Sequence, residues 1–173
     1  MALVVPSHWY PGTYEVVQLV PHYVLQVERT MHSVTQTWVV AYLRPGEEKR
    51  ILREWLEAWE RRPPRGPLVI AGDFNQAGQT QDVDLLNHLI AEYGLMEVTN
   101  PTVPTHRASN GSLRALDKVF VRDQALSLGD VLAKVRIGFL GPNEVGHSPV
   151  FVKFRRNLHD PEDQQYPQYR AVP

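Results

Sequence analysis

Asp73 and Asn75 stand two residues apart in Gly72-Asp73-Phe74-Asn75, directly after the apolar run Leu68-Val69-Ile70-Ala71. A short apolar run of this kind reads as a buried strand. In an open α/β sheet, ligands gather outside the carboxyl ends of such strands. A spacing of two on extended chain points both side chains the same way. A carboxylate and a carboxamide facing one pocket can activate a water and hold an anionic oxygen. Gly, Asp and Asn also build turns for purely local reasons. The site reading therefore requires other parts of the chain to converge on these residues.

Three further places carry polar groups at the ends of apolar segments. Thr105-His106 follows Pro104. Asp117 lies in Leu116-Asp117-Lys118-Val119-Phe120-Val121, where burying a carboxylate is costly unless it is paired. His147 lies in Gly146-His147-Ser148-Pro149, entering a final strand. Taken singly, Asp117 reads as a strand-edge cap and His147 as a satisfied loop histidine. Together they have a chemical reading. A carboxylate that accepts from one imidazole nitrogen fixes the tautomer and leaves the other nitrogen for acid or base work.

The elements that must position these groups follow from periodicity. Strands are predicted at Ala2–Val5, Tyr14–Val20, His22–Glu28, Thr35–Tyr42 and Leu68–Ala71, with later ones at Leu95–Val98, Ala115–Arg122, Val131–Ile137 and Pro149–Arg155. A helix is expected over 46–62, where Ile51, Leu52, Trp55, Leu56 and Trp59 form one apolar stripe. Glu47 and Glu48 in its first turn and Arg61 and Arg62 in its last suit the helix dipole, and Pro63-Pro64 ends it. Trp55 and Trp59 are read as core. A second helix carries Val83, Leu86, Ile90 and Tyr93 on one face, with Thr80 or Asp82 as its cap. His88 is read as a surface or core-edge residue. The pattern is an α/β sandwich. One domain is expected over 1–156, and a poorly ordered tail over 157–173. A chain that opens on a strand one residue after Met1 reads as the C-terminal portion of a larger domain.

Composition narrows the chemistry. The 173 residues are 43% hydrophobic and 21% charged, with a formal net charge of −1. That is an ordinary globular balance, without the basic excess of a general nucleic-acid binder. There is no cysteine, so disulfides, thiolate metal sites and a cysteine nucleophile are excluded. A metal would be held by oxygen or imidazole, which favours Mg²⁺ or Mn²⁺. No apolar stretch approaches the ~20 residues of a membrane span, and the N-terminus lacks a signal peptide's basic region. An intracellular protein is expected, in either nucleus or cytoplasm.

In this order the segments resemble the endonuclease/exonuclease/phosphatase family, with its exonuclease III-like (DNase I-like) fold. The likeness is carried by Gly72–Asn75, Thr105-His106, Leu116-Asp117 and Val145–Val150, together with Val39-Val40-Ala41-Tyr42-Leu43-Arg44-Pro45. Gly-Asp-Phe-Asn and Thr-His are most similar to the retroelement-type endonucleases. The resemblance implies a two-sheet α/β sandwich and Mg²⁺-dependent hydrolysis of phosphodiesters, with nucleic acid as the partner. Asp73 would orient or deprotonate the attacking water and could touch the metal. Asn75 would hold the scissile phosphate, and His147, paired with Asp117, would stabilise its developing charge. Tyr42 would approach the phosphate or leaving group, and Thr105 and His106 would line the substrate.

The chain also departs from the family pattern. The family's first segment, with a strand-end Asn and a metal-binding Glu, would precede residue 2. Glu15 and Glu28 are wrongly placed to replace that Glu. Val145 and Gly146 stand where the family has Ser and Asp. These departures imply weakened Mg²⁺ (or Mn²⁺) binding, impaired activity, and a sheet edge open to association. Two other readings remain: a non-catalytic binding descendant of the fold, and a phosphatase acting on inositol phosphates or lipids.

Overall fold

The computed structural model describes residues 14–31, 34–75, 83–122, 134–137, 145–148 and 150–153. The expected strand at 2–5, the caps at Thr80 or Asp82, and the tail lie outside these residues.

Strands β1 (Tyr14–Val20), β2 (Val24–Met31) and β3 (Val34–Tyr42) form an antiparallel meander. Helix α1 (Glu48–Arg61) then crosses to β4 (Leu68–Asp73), which pairs parallel to β3. Helix α2 (Val83–Glu92) leads to β5 (Leu95–Glu97). Two-residue strands β6 (His106–Arg107) and β7 (Leu113–Arg114) precede β8 (Asp117–Arg122). The main sheet runs β1-β2-β3-β4-β8-β5. A small sheet joins β6 and β7 to β10 (Gly146–His147), and β9 (Lys134–Ile137) pairs with β11 (Val150–Lys153). The result is the expected α/β class.

Alternation along each strand decides which side chains meet the helices. Val39 and Ala41 of β3, Leu68 and Ile70 of β4, and Phe120 of β8 join Ile51, Leu52, Trp55 and Trp59 of α1 in one core. Both tryptophans are fully buried, so the stripe packs the core as its spacing predicted. By the two-residue period, Tyr42, Asp73 and Asp117 lie on the opposite face. That face is apolar as well, with Val27, Val119 and Val121 each no more than 2% exposed. A sheet with two apolar faces requires cover on both sides.

The helix side also holds a polar cluster. The Trp59 indole N–H donates to Gln26 Oε1 at 2.8 Å, and Gln26 Nε2 donates to Glu28 Oε1 at 2.8 Å. Arg62 closes the cluster on Glu28 and Glu15. Glu15 and Glu28 are thereby occupied on the helix side, away from the site face.

The end of β4 depends on Gly72. A Cβ there would lie 1.9 Å from the carbonyl oxygen of Ala41 on the neighbouring strand. Gly72→Ala must separate β3 from β4 at the point where the site begins. Overpacking of this kind costs about 1–3 kcal/mol. The variant is expected to show a urea midpoint lowered accordingly, and an unchanged midpoint would refute this account of the strand contact.

Candidate active site

The site is built from register. Tyr42 of β3 pairs with Asp73 of β4, and Asp73 pairs with Asp117 of β8. Three neighbouring strands thus end in a phenol and two carboxylates, side by side on one face. Phe74 anchors the turn that follows. It is fully buried and meets Phe120 edge-on at 5.1 Å, while its N–H donates to Leu116 O at 2.9 Å. Burying a phenylalanine contributes about 1.5–3 kcal/mol. Phe74 is held inward, and the strand ends at Asp73, so Asn75 is placed by a turn and not by the two-residue period of extended chain. Asn75 adopts a left-handed backbone (φ 46°), which asparagine tolerates better than most residues. Its N–H donates to Asp73 Oδ1 at 2.9 Å. Its side-chain amide donates to Leu43 O at 2.6 Å, which leaves one of the two amide hydrogens for other work.

The small sheet brings the imidazoles. His147 of β10 lies in register with His106 of β6, and their ring centroids are 4.6 Å apart. His147 Nδ1 lies 2.9 Å from Asp117 Oδ2, and its Nε2 lies 3.7 Å from Asp73 Oδ2. One imidazole is therefore flanked by the two carboxylates of the main sheet. His106 Nδ1 is buried and has no hydrogen-bond partner among the described residues. Arg114, the register partner of His106, lies on the same side of the small sheet and adds a cation that sequence reasoning missed. A two-residue strand has no periodicity by which to place it.

Thr105 ties the two sheets together. It is 1% exposed, and its hydroxyl accepts from the N–H groups of Leu116 and Asp117 at 3.0 and 2.9 Å. Its carbonyl accepts from Ser148 N–H at 2.7 Å. Sequence reasoning placed Thr105 at the substrate. The structure places its hydroxyl on the backbone that carries Asp117, as a strut.

Burial is the main influence on Asp73. Desolvation pushes its carboxyl above the usual aspartate range, and the nearby Asp117 charge acts in the same direction. The Asn75 N–H and the two histidines oppose the shift. A carboxylate whose basicity is raised this way is better able to take a proton. Among the described residues, no three His, Asp or Glu side chains converge to hold a metal ion. Asp73 Oδ1 and Asp117 Oδ2 each already accept a hydrogen bond. Gly146, with φ 124°, has open space where a Cβ would stand, so this position adds no ligand. The described groups by themselves thus form no divalent-metal cage.

Two measurements test the electrostatics and the strut. A carboxyl whose folded pKa is raised lends stability below its unfolded pKa, and that stability is lost as pH rises through the folded pKa. Asp73→Asn should therefore raise the urea midpoint at neutral pH, with a gain that vanishes once the pH falls below the carboxylate range. A gain independent of pH would contradict the burial effect. Thr105→Val leaves two backbone N–H groups without their acceptor, at about 1–3 kcal/mol each. Its expected signature is a lowered midpoint with weakened hydrogen-exchange protection at Leu116 and Asp117. Unaltered protection there would rule out the strut.

No protein-family model and no curated protein sequence matches this chain. Solved structures do. The endonuclease domain of TRAS1, a telomere-specific non-LTR retrotransposon, matches 87% of this chain and 70% of its own at 20% identity and a TM-score of 0.60. TDP2 of D. rerio, complexed with a single-strand DNA product, matches 82% of this chain and 66% of its own at 17% identity and a TM-score of 0.52. The inositol polyphosphate 5-phosphatase domain of spSynaptojanin matches 77% of this chain and 50% of its own at 12% identity and a TM-score of 0.50. The chain spans half to seven-tenths of the length of these structures, and at such identities the likeness is one of fold. Over most of its length the chain has the DNase I-like fold of the endonuclease/exonuclease/phosphatase proteins.

Proposed function

We propose that this site acts on phosphodiester bonds, with a nucleic-acid backbone as substrate. The observation that carries the reading is the imidazole of His147 flanked by Asp117 and Asp73 at adjoining strand ends. In the step proposed, the doubly protonated ring donates from Nδ1 to Asp117 and from Nε2 to a phosphate oxygen. Asp73, with raised basicity and one oxygen fixed by Asn75, accepts the proton of a water attacking phosphorus. The bond from phosphorus to the leaving oxygen breaks as the water's oxygen bonds, and the leaving oxygen takes a proton from solvent. The remaining amide hydrogen of Asn75 and the imidazole share the developing charge. The Tyr42 phenol approaches from the neighbouring strand. His106, in ring contact with His147, lines the substrate side.

The choice of nucleic acid over small phosphoesters leans on fold analogy with the TRAS1 endonuclease and with TDP2, which holds a DNA product. Fold alone equally admits an inositol phosphate substrate. Gly146, which supplies no carboxylate where the resemblance expects one, supports a reading of weak activity, assayed with and without Mg²⁺ or Mn²⁺. Association through the outermost described strands of the main sheet, β1 and β5, remains part of this proposal. No helix among the described residues is long and apolar enough to cross a membrane.

Nicking of supercoiled plasmid, with and without added Mg²⁺ or Mn²⁺, tests the reading. Native chain is expected to nick, and Asp73→Ala and His147→Ala are each expected to lose at least about a hundredfold in rate. Retained DNA binding without nicking under every condition would favour the non-catalytic descendant. Release of phosphate from inositol phosphates, with DNA untouched, would favour the phosphatase.

A further inference from the structure

Beside Tyr42, in the turn before β2, stands Tyr23, which also packs against the helix-side core. Val24 of β2 pairs with Ala41 of β3, and the N–H of Tyr42 donates to Tyr23 O at 2.8 Å. Tyr23 therefore stands beside Tyr42, as Tyr42 stands beside Asp73. The two phenol rings stack, with centroids 6.5 Å apart and planes 25° apart. The Arg50 guanidinium lies 5.3 Å from the centroid of the Tyr23 ring. Tyr23 is thus fixed from several sides, while Tyr42 stays 39% exposed. The arginines are matched by acids: Arg44 pairs with Glu47 at 3.1 Å, and Arg50 pairs with Glu47 and with Glu54. This neighbourhood supplies no excess positive charge with which to hold a phosphate. What it supplies is a braced aromatic surface one strand, about 4.8 Å, from Asp73.

We propose that the Tyr23–Tyr42 pair is a stacking subsite for a nucleobase next to the scissile phosphate, which selects single-stranded or frayed nucleic acid. The proposal rests on the phosphodiester reading of the site and deepens it. Every base has a π-face, so a ring at this position accepts any base. A base inside a duplex already stacks on its neighbours and must leave them to reach the ring. Tyr42 makes the contact, in register with Asp73 on the neighbouring strand. Tyr23 is a positioning residue that holds the Tyr42 ring at a fixed tilt, itself held by the Arg50 guanidinium over its ring.

Fluorescence anisotropy with the full 173-residue chain provides the test, under conditions where no cleavage occurs. The probes are a labelled oligothymidylate and a strand of equal length made of abasic tetrahydrofuran residues. They share backbone charge and differ only in bases. Native protein is expected to bind the thymidylate about tenfold more tightly, the effect of one stacked base. Tyr23→Leu should shrink that ratio towards one and leave the abasic affinity unchanged, while Tyr23→Phe should keep the ratio. Equal binding of the two strands by native protein would overturn the proposal. So would a ratio that Tyr23→Leu does not alter, a duplex bound as tightly as the single strand, or displacement by inositol bisphosphate but not by thymidylate. Failure of the underlying reading shows differently. A base preference without any plasmid nicking would leave the subsite and remove the hydrolase.

Discussion

Strand β4 is the constraint on which the rest depends. It pairs parallel with β3 and antiparallel with β8, and both ladders hold register to its last residue, Asp73. The parallel pairing requires a crossover, which α1 provides, and so fixes one face of the sheet as helix-covered. The antiparallel pairing returns β8 in the opposite direction, so that Asp117 begins its strand where Asp73 ends its own. Gly72 allows the close approach to Ala41 that the ladder with β3 needs. A one-residue slip in either pairing would turn a carboxylate from the site face into the helix core.

The two faces of the sheet have divided the chain's polar groups between structure and chemistry. On the helix side, Gln26, Glu28, Trp59 and Arg62 satisfy one another within the core, as buried polar groups must. On the other side, the polar groups belong to strand ends and face the small sheet. Glu28 and Asp73 are both acidic residues of central strands. Parity along the strand decides that one is locked by an arginine and the other meets an imidazole.

Much of this was legible in the sequence, because the long elements have strong periods. Strand β1 matches its expected bounds, and α1 lies within its expected span with its tryptophan stripe buried. Asp73, Asp117 and His147 converge because each marks the end of an apolar run or the entry to one, a local signal. The remainder was hidden for physical reasons. Strands β6, β7 and β10 are two residues long, too short to display alternation, so the small sheet and Arg114 had no signature. Thr105 looked like a substrate contact because a threonine beside a histidine offers a hydroxyl. Only the tertiary contact reveals that two backbone N–H groups already use it. Tyr23 sits in a turn, and its stacking on Tyr42 depends on β2–β3 register, which no local pattern encodes.

The imidazole and its carboxylates belong to different sheets. His147 is carried by the small one and Asp73 and Asp117 by the main one, and Thr105 is a principal tie between the layers. A hydrogen bond weakens steeply once its geometry is stretched, whereas an apolar contact tolerates sliding. A shift of the layers by about an ångström would leave the helices, the ladders and most of the core intact while parting Nδ1 from Oδ2. The constellation thus acts as a gauge of interlayer alignment. On warming, a loosening between the sheets would part this contact before far-ultraviolet circular dichroism records any loss of secondary structure.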